Sequence, residues 1–327
     1  AFSPRALKRK EYTAMKKIFK TFEAEMRQLT TPEKDCWISL VKPTEKELAE
    51  VAELYAIEPD DLRAALDEEE RSRIELEDNY TLILVDIPVV EKNNGKDVYS
   101  TVPLGIILAK EAIITVCLEE TPVLYALKQK HANELRTHMR TRFVLQILYR
   151  NASLYLQYLR VINRLSDKIE QKLHGSTQNR ELIELLELEK SLVYFTTSLR
   201  SNEVVLEKLL KTERIKKYPE DEDLLEDVIV ENRQAIEMAN IYSGILSGMM
   251  DAFASVISNN LNIVMKFLAV MTIVLSVPTI IFAAYGMNLA PEGMPLAGSP
   301  YGFAAIVGIS LIVSIAAAIY FNRKKML

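Results

Sequence analysis

The charged positions divide the chain into two parts. Charged side chains occur throughout residues 1–260, whereas residues 267–321 contain a single one, Glu292. Two uncharged runs of 19 residues, 267–285 and 303–321, lie within this stretch. At about 1.5 Å per helical residue each run spans about 28 Å, close to the hydrocarbon thickness of a bilayer. The pattern predicts two transmembrane helices, at about 267–285 and 302–322.

The segment between these helices, residues 286–301, is rich in Gly and Pro, which end helices and form turns. The two helices therefore form a hairpin with 286–301 as an outer loop. Basic residues occur only at the other ends of the helices, at Lys266 and in the tail 323–327. The positive-inside rule then predicts a multi-pass protein of the cell membrane with both termini in the cytoplasm.

The polar part of the chain begins with short Val- and Ile-rich runs, which predict an α/β domain over residues 15–140. Asn93-Asn94-Gly95 is typical of a hairpin turn. Residues 1–14 are expected to be an added leader or disordered, with Met15 as a natural start. The predicted strands are Trp37–Val41, Tyr80–Val90, Val102–Leu108 and Ala112–Leu118, and the predicted helices are Thr44–Ala56 and Pro59–Leu66.

From about Thr141 the apolar spacing becomes helical. Residues 141–222 predict long antiparallel helices, Thr141–Leu173 and Arg180–Leu210. A third helix, from about Asp223 to Tyr285, is expected to run directly into the membrane and to include the first transmembrane segment.

Composition excludes several classes of function. With 40 Lys+Arg, 45 Asp+Glu and a net charge of -5, the chain has no excess of basic residues for nucleic acid. The sequence contains no P-loop, G-x-S-x-G, Rossmann or H-E-x-x-H motif, so we expect neither an enzyme nor an organic cofactor. Cys36 and Cys117 are expected to be buried apolar residues. His131, His138 and His174 match no metal-ligand spacing.

One face of the third long helix is marked by polar side chains. The only hydroxyl groups between residues 267 and 284 fall within a narrow sector at about 100° per residue. The same sector continues toward the N-terminus of the helix. Two interpretations fit it: a pore lining, or a helix–helix contact, where Ser and Thr are also common. The sector comprises Asp251, Ser258, Asn262, Met265, Thr272, Ser276 and Thr279.

The first transmembrane segment ends in Tyr285-Gly286-Met287-Asn288. Gly-Met-Asn at this place, in a C-terminal pair of transmembrane helices with a basic tail, resembles the CorA magnesium transporters. The resemblance in organisation covers nearly the whole chain and is most detailed in residues 225–327. It implies a funnel-shaped homopentamer with an α/β cytoplasmic domain, in which one long helix of each subunit lines a channel for hydrated Mg2+.

The resemblance also implies roles for individual residues. Gly286, Met287 and Asn288 would form the selectivity filter, which holds a hydrated ion through its water. Met265 and Leu268 would form a hydrophobic gate, and Asp251 an acidic ring at the cytoplasmic mouth. The implied pore-lining and gate positions are Asp251, Ser258, Asn262, Met265, Leu268, Thr272, Ser276 and Thr279.

A regulatory Mg2+ site between subunits is implied at Asp227. Carboxylates repel one another when bare, so bound Mg2+ would join neighbouring subunits and favour a closed channel. Ala64 stands where the family has an acidic partner, which leaves Asp61 or Asp67 as a substitute.

The sequence is also consistent with two other functions. The loop has Met294-Pro295-Leu296 where many relatives have an acid after Met-Pro, so Glu292 alone would attract cations. A transporter of the same architecture for Co2+, Ni2+ or Zn2+ is the first alternative. A membrane-anchored enzyme or sensor is the second.

Overall fold

The computed structural model describes residues 15–22, 25–93, 95–128, 136–173, 180–212, 215, 218–287, 294–296 and 299–324. The chain forms two compact units, Ala1–Met249 and Met250–Leu327. The predicted leader 1–14 and the end of the basic tail lie outside the described residues, as do Glu292, His131 and His174.

The first unit contains a mixed seven-stranded sheet in the order β2-β1-β3-β7-β6-β5-β4. Only β3 and β7 are parallel to each other, and both are buried along their whole length, as expected of strands covered on both faces. The strands are β1 (Met15–Phe22), β2 (Glu25–Leu29), β3 (Cys36–Val41), β4 (Arg73–Leu76), β5 (Tyr80–Asn93), β6 (Lys96–Ala109) and β7 (Ala112–Cys117).

Seven helices occur in the described residues. The two short helices α1 and α2 cover one face of the sheet, where Leu48, Val51 and Leu62 are buried in its core. On the other face Trp37 packs between Phe19 and Phe143, with ring centroids 5.1 and 5.3 Å away. The helices are α1 (Glu45–Tyr55), α2 (Pro59–Ala64), α3 (Pro122–Leu127), α4 (Arg140–Leu173), α5 (Arg180–Lys211), α6 (Pro219–Tyr285) and α7 (Gly302–Arg323).

The strands and helices predicted from the sequence are all present, with ends that differ by a few residues. The prediction missed β1, β2, β4 and α3. The first three lie at or next to the edges of the sheet and carry charged side chains that break the apolar alternation, which is typical of edge strands. The fourth has only 6 residues, too few to show a helical period.

The turn predicted at Asn93-Asn94-Gly95 joins β5 to β6. Asn93 pairs with Lys96, and Gly95 has φ +80°, in the left-handed region that glycine adopts without strain. Asn94 lies outside the described residues. The predicted burial of the two cysteines is confirmed, and burial raises the pKa of Cys117 to about 12.

Helix α5 is joined to β5 through a buried polar cluster. The side chain of Asn202, only 3% exposed, accepts from the N–H of Asp86 at 2.8 Å and donates to its carbonyl at 2.8 Å. The same carbonyl accepts from Asn151 at 2.9 Å and from Tyr155 at 3.2 Å. Burial raises the pKa of the Asp86 carboxyl, although hydrogen bonds from Ser198 and Ser72 oppose the shift.

The second unit consists of the C-terminal part of α6, the connecting segment and α7. Both helices contain windows apolar enough to cross a membrane, and only 6% and 11% of these windows are buried in the single chain. A core helix of a soluble protein would be mostly covered. The exposed apolar surface therefore requires lipid or further protein around it.

Candidate functional site

The transmembrane part of α6 has one covered side. Val270 is fully buried, and five of the six half-buried residues beyond it in α6 recur along the same side, within an arc of about 100°. They are Val274, Val277, Pro278, Ile281 and Tyr285.

Helix α7 also has one covered side, which carries mainly small residues. Gly302 and Ser310 are buried, and Ser314 and Ala317 follow at helical spacing as half-buried positions. Small residues allow close approach of membrane helices. Since α7 is the other helix described in this compact unit, we infer that the Val-rich side of α6 and the small-residue side of α7 face each other, and we call this contact the seam of the hairpin.

The polar sector of α6 lies on the side opposite this seam. The residues predicted for a pore lining are exposed in the single chain, apart from Ser276, which is half-buried. Met265 is 58% exposed and Leu268 is 53% exposed. The polar sector is therefore not the contact surface between α6 and α7, so this contact does not explain its hydroxyl groups.

The three hydroxyl groups of the sector within the transmembrane part are hydrogen-bonded within their own helix. Thr272 donates to the carbonyl of Leu268 at 2.8 Å, Ser276 to that of Thr272 at 2.7 Å, and Thr279 to that of Leu275 at 2.9 Å. Each oxygen keeps lone pairs that point away from the helix axis. The side chains can accept hydrogen bonds from water, as hydrated ions require, without leaving a donor unsatisfied in a bilayer.

The predicted filter follows the last turn of α6. The N–H of Gly286 donates to the carbonyl of Phe282 at 2.8 Å and closes the helix, and Met287 is exposed by 56%. Asn288, the third residue of the tripeptide, lies outside the described residues. The exposed apolar side chain of Met287 is compatible with a mouth completed by neighbouring copies.

The residues predicted for the regulatory site are spread over separate elements of the first unit. Asp227 is exposed on α6, and Asp67 is exposed after α2. Asp61 on α2 is half-buried and accepts a hydrogen bond from the hydroxyl of Tyr80 at 2.5 Å. Burial, reinforced by this bond, raises the pKa of Tyr80 to about 12.

Ala64, at the position where an acid was expected, belongs to the buried core beneath the sheet. A carboxylate there would lose its water without gaining a partner, so burial explains why this position is not acidic. Within the described part of the chain, no group of three His, Cys, Asp or Glu side chains is arranged to hold a metal.

The start of α6 is anchored by two acidic side chains, Glu220 and Asp221. Asp221 is 1% exposed and accepts from Arg142 of α4 at 2.9 Å and from the N–H of Tyr218 at 3.1 Å. Glu220 accepts from the same guanidinium at 2.6 Å. Further along, the amide of Asn232 donates to the α5 carbonyl of Leu199 at 3.0 Å. These contacts hold the first part of α6 on the α/β unit.

Comparisons with known proteins agree with this architecture. The cobalt/magnesium transport protein CorA of Methanocaldococcus jannaschii is 28% identical over 291 residues, which cover 88% of this chain and 90% of the relative. The protein of the same name from Thermotoga maritima is 24% identical over 326 residues, which cover 94% of this chain and 88% of the relative.

The solved complete structure of the M. jannaschii CorA magnesium transporter has the same fold, with a TM-score of 0.80 at 24% identity. The match covers 95% of this chain and 98% of that one. The family model described as CorA-like Mg2+ transporter protein matches residues 33–324. The chain therefore belongs to the CorA-like Mg2+ transporter family.

Proposed function

We propose that this chain is one subunit of a homopentameric channel of the cell membrane, through which hydrated Mg2+ moves passively into the cell. The observation that carries the proposal is the placement of the polar sector on the side of α6 opposite the seam with α7. In a ring of copies this side can face a common axis, while α7 lies toward the lipid. Both termini would lie in the cytoplasm, where the membrane potential draws a divalent cation.

The chemistry of the sector suits an ion that keeps its water. Between Met265 and Thr279 the sector offers neutral oxygens and apolar surface, with no fixed charge to trap the ion. Mg2+ releases water reluctantly, so weak contacts through the hydration shell allow it to pass. Met265 and Leu268 would close the path by excluding water, and Asp251 would concentrate cations at the mouth.

Co2+ is the principal alternative ion. The two curated relatives are named for both cobalt and magnesium, and the two hydrated ions are similar in size. Helix α6 contains no His or Cys, so it offers neither the imidazole nor the thiolate ligands that would favour Zn2+ or Ni2+. The sensor alternative predicts instead that changes in the polar sector leave function intact.

The first test uses single cysteines in α6. The two natural cysteines are buried and free, so a polar thiol reagent has little background reaction. We expect the reagent to reduce Mg2+ uptake into proteoliposomes at least about tenfold for Thr272→Cys and Ser276→Cys, because a bulky charged adduct would block a narrow path. Val274→Cys, on the seam side of the same helix turn, is the matched control and should be unaffected.

Equal inhibition at the seam and at the polar sector would contradict a pore along this face. Uptake by none of the proteins, at low internal Mg2+ and an inside-negative potential, would contradict the channel itself. Co2+ and Zn2+ would then be tested in the same vesicles before the sensor alternative is considered.

The channel would be regulated by Mg2+ held between neighbouring subunits by Asp227, with Asp61 or Asp67 from the adjacent copy. The exposure of Asp227 and Asp67 supports this, since both carboxylates are available to a second chain. Asp61 already accepts from Tyr80 through one oxygen and would contribute the other. Bound Mg2+ would relieve repulsion between the acids and favour the closed ring.

Removal of the Asp227 charge should therefore weaken inhibition by internal Mg2+. For Asp227→Asn we expect the internal concentration that halves uptake to rise about tenfold, the equivalent of about 1.4 kcal/mol of lost ion binding. Measurement of uptake against stepped internal Mg2+ checks this. Glu222→Gln, an exposed acid on another face of α6, is the control. The partner is whichever of Asp61→Asn and Asp67→Asn reproduces the shift, and an unchanged Asp227→Asn protein would reject the site.

A further inference from the structure

The last residue of α6 is tied to the far part of the connecting segment. The hydroxyl of Tyr285 donates to the carbonyl of Pro295 at 3.0 Å, across 10 positions of sequence. Tyr285 is half-buried on the seam side of α6, whereas the next two residues, Gly286 and Met287, are exposed. The hydrogen bond therefore starts from the covered side of the helix end and leaves Gly286 and Met287 exposed.

A second contact holds the same part of the segment against the start of α7. A Cβ atom on Gly302 would lie 2.3 Å from the backbone oxygen of Leu296, a distance that no side chain can occupy. Leu296 has φ +66°, an uncommon conformation for a branched residue, which persists only where the surroundings impose it. The N–H of Ser299 donates to the Leu296 carbonyl at 3.2 Å, and that of Gly302 to the Ser299 carbonyl at 3.0 Å.

Together these contacts clamp the short stretch Met294–Leu296 between the ends of the two helices. Closing a loop costs entropy, and a tie across its base offsets part of that cost. The tie also restrains the backbone that begins at Gly286, directly after Tyr285. An ion-binding mouth built from neutral groups depends on their position to within about half an ångström.

We propose that Tyr285 and Gly302 are positioning residues for the ion entrance. The Tyr285 hydroxyl and the bare Cα of Gly302 fix the returning segment against both helix ends, and this holds Gly286 and Met287 at the mouth. This role rests on the proposed channel function, because it assigns the residues to the entrance of that channel.

The experiment compares full-length parent protein, Tyr285→Phe and Tyr301→Phe in proteoliposomes, with Mg2+ uptake measured over a range of external Mg2+. Tyr301 is 78% exposed, and its hydroxyl has no hydrogen bond within the described residues, so Tyr301→Phe is the matched control. For Tyr285→Phe we expect the half-saturating Mg2+ concentration to rise about fivefold, the equivalent of one net hydrogen bond. The amount of functional channel in the vesicles and the midpoint temperature of unfolding should stay unchanged, since phenylalanine keeps the aromatic ring of Tyr285.

The Gly302→Ala protein, if it inserts in the membrane, should raise the half-saturating Mg2+ concentration further. If that protein does not insert, the result for Tyr285→Phe alone tests the positioning role. A lower maximal rate with an unchanged half-saturating concentration would overturn the positioning role, because it would indicate only fewer intact channels. If the parent transports Mg2+ and Tyr285→Phe matches it throughout, only this inference fails. If the parent transports no divalent cation, the channel proposal fails and this one fails with it.

Discussion

Replacement of Asn288 by alanine is expected to abolish Mg2+ uptake, with a loss of at least about a hundredfold. In the proposed pentamer five amides would meet the hydrated ion together, and each contributes about 1 kcal/mol of hydrogen bonding to its water shell. The variant removes all five at once. The alanine side chain offers no acceptor in their place. The water shell of an entering ion would then be restricted by the pore without gaining hydrogen bonds in return.

The measurement is Mg2+ uptake into sealed liposomes with low internal Mg2+ and an inside-negative potential. Asn260→Ala is the matched control, since it makes the same chemical change on α6, on the side opposite Asn262 and the polar sector. Parent and control should transport at similar rates. Normal uptake by Asn288→Ala would place the entrance elsewhere and would contradict the role that the family resemblance implies for the tripeptide.

Replacement of Asn202 by alanine should destabilise the first unit by about 3 kcal/mol. β4 begins at Arg73, which pairs with Leu84, so Asp86 lies on β5 beyond the last residue that β4 pairs with. Asn202 makes the two hydrogen bonds that a neighbouring strand would have made, to the N–H and to the carbonyl of Asp86. Its side-chain oxygen also accepts a hydrogen bond from Ser72 at 3.0 Å. Alanine would leave the buried N–H of Asp86 without an acceptor, which is costlier than the loss of an exposed bond.

Urea unfolding followed by tryptophan fluorescence measures this effect. Trp37 is the only tryptophan, and it is fully buried in the first unit, so its emission reports on that unit alone. Asn240→Ala, at an exposed position of α6, is the control and should change the free energy of unfolding by less than about 0.5 kcal/mol. A loss below about 1 kcal/mol for Asn202→Ala would indicate that water replaces its contacts.

The membrane-spanning helices and the central strands were readable from the sequence because their signals are local. An uncharged run of bilayer length has few alternatives, and the Val-rich stretches that became β5, β6 and β7 are buried for reasons visible in each stretch. The capping box of α1 is equally local: Thr44 and Glu47 bond to each other's backbone N–H at 3.3 and 2.8 Å. The edge strands β2 and β4 lack such signals because their neighbours, and not their own patterns, make them strands.

The candidate site divides in the same way. The polar sector of α6 and the tripeptide after it were identified from spacing and resemblance, since helix geometry alone brings those side chains to one face. That the covered side of α6 lies opposite the polar sector could be seen only in the tertiary structure. The contact of buried Asp221 with Arg142 joins residues 79 positions apart, and the pairing of Asn202 with Asp86 joins residues 116 positions apart. No pattern in the sequence indicates such pairs.

The sequence by itself therefore determined where the chain can enter a bilayer, which face of α6 is polar and which family the chain resembles. Each of these follows from the order of residues along a helix whose period is known. Only the tertiary structure decided which face the hairpin buries, how Tyr285 and Gly302 hold the connecting segment, and which acids are available to a second subunit. Those features depend on contacts between residues that are distant in sequence, and their free energy exists only once the elements have packed.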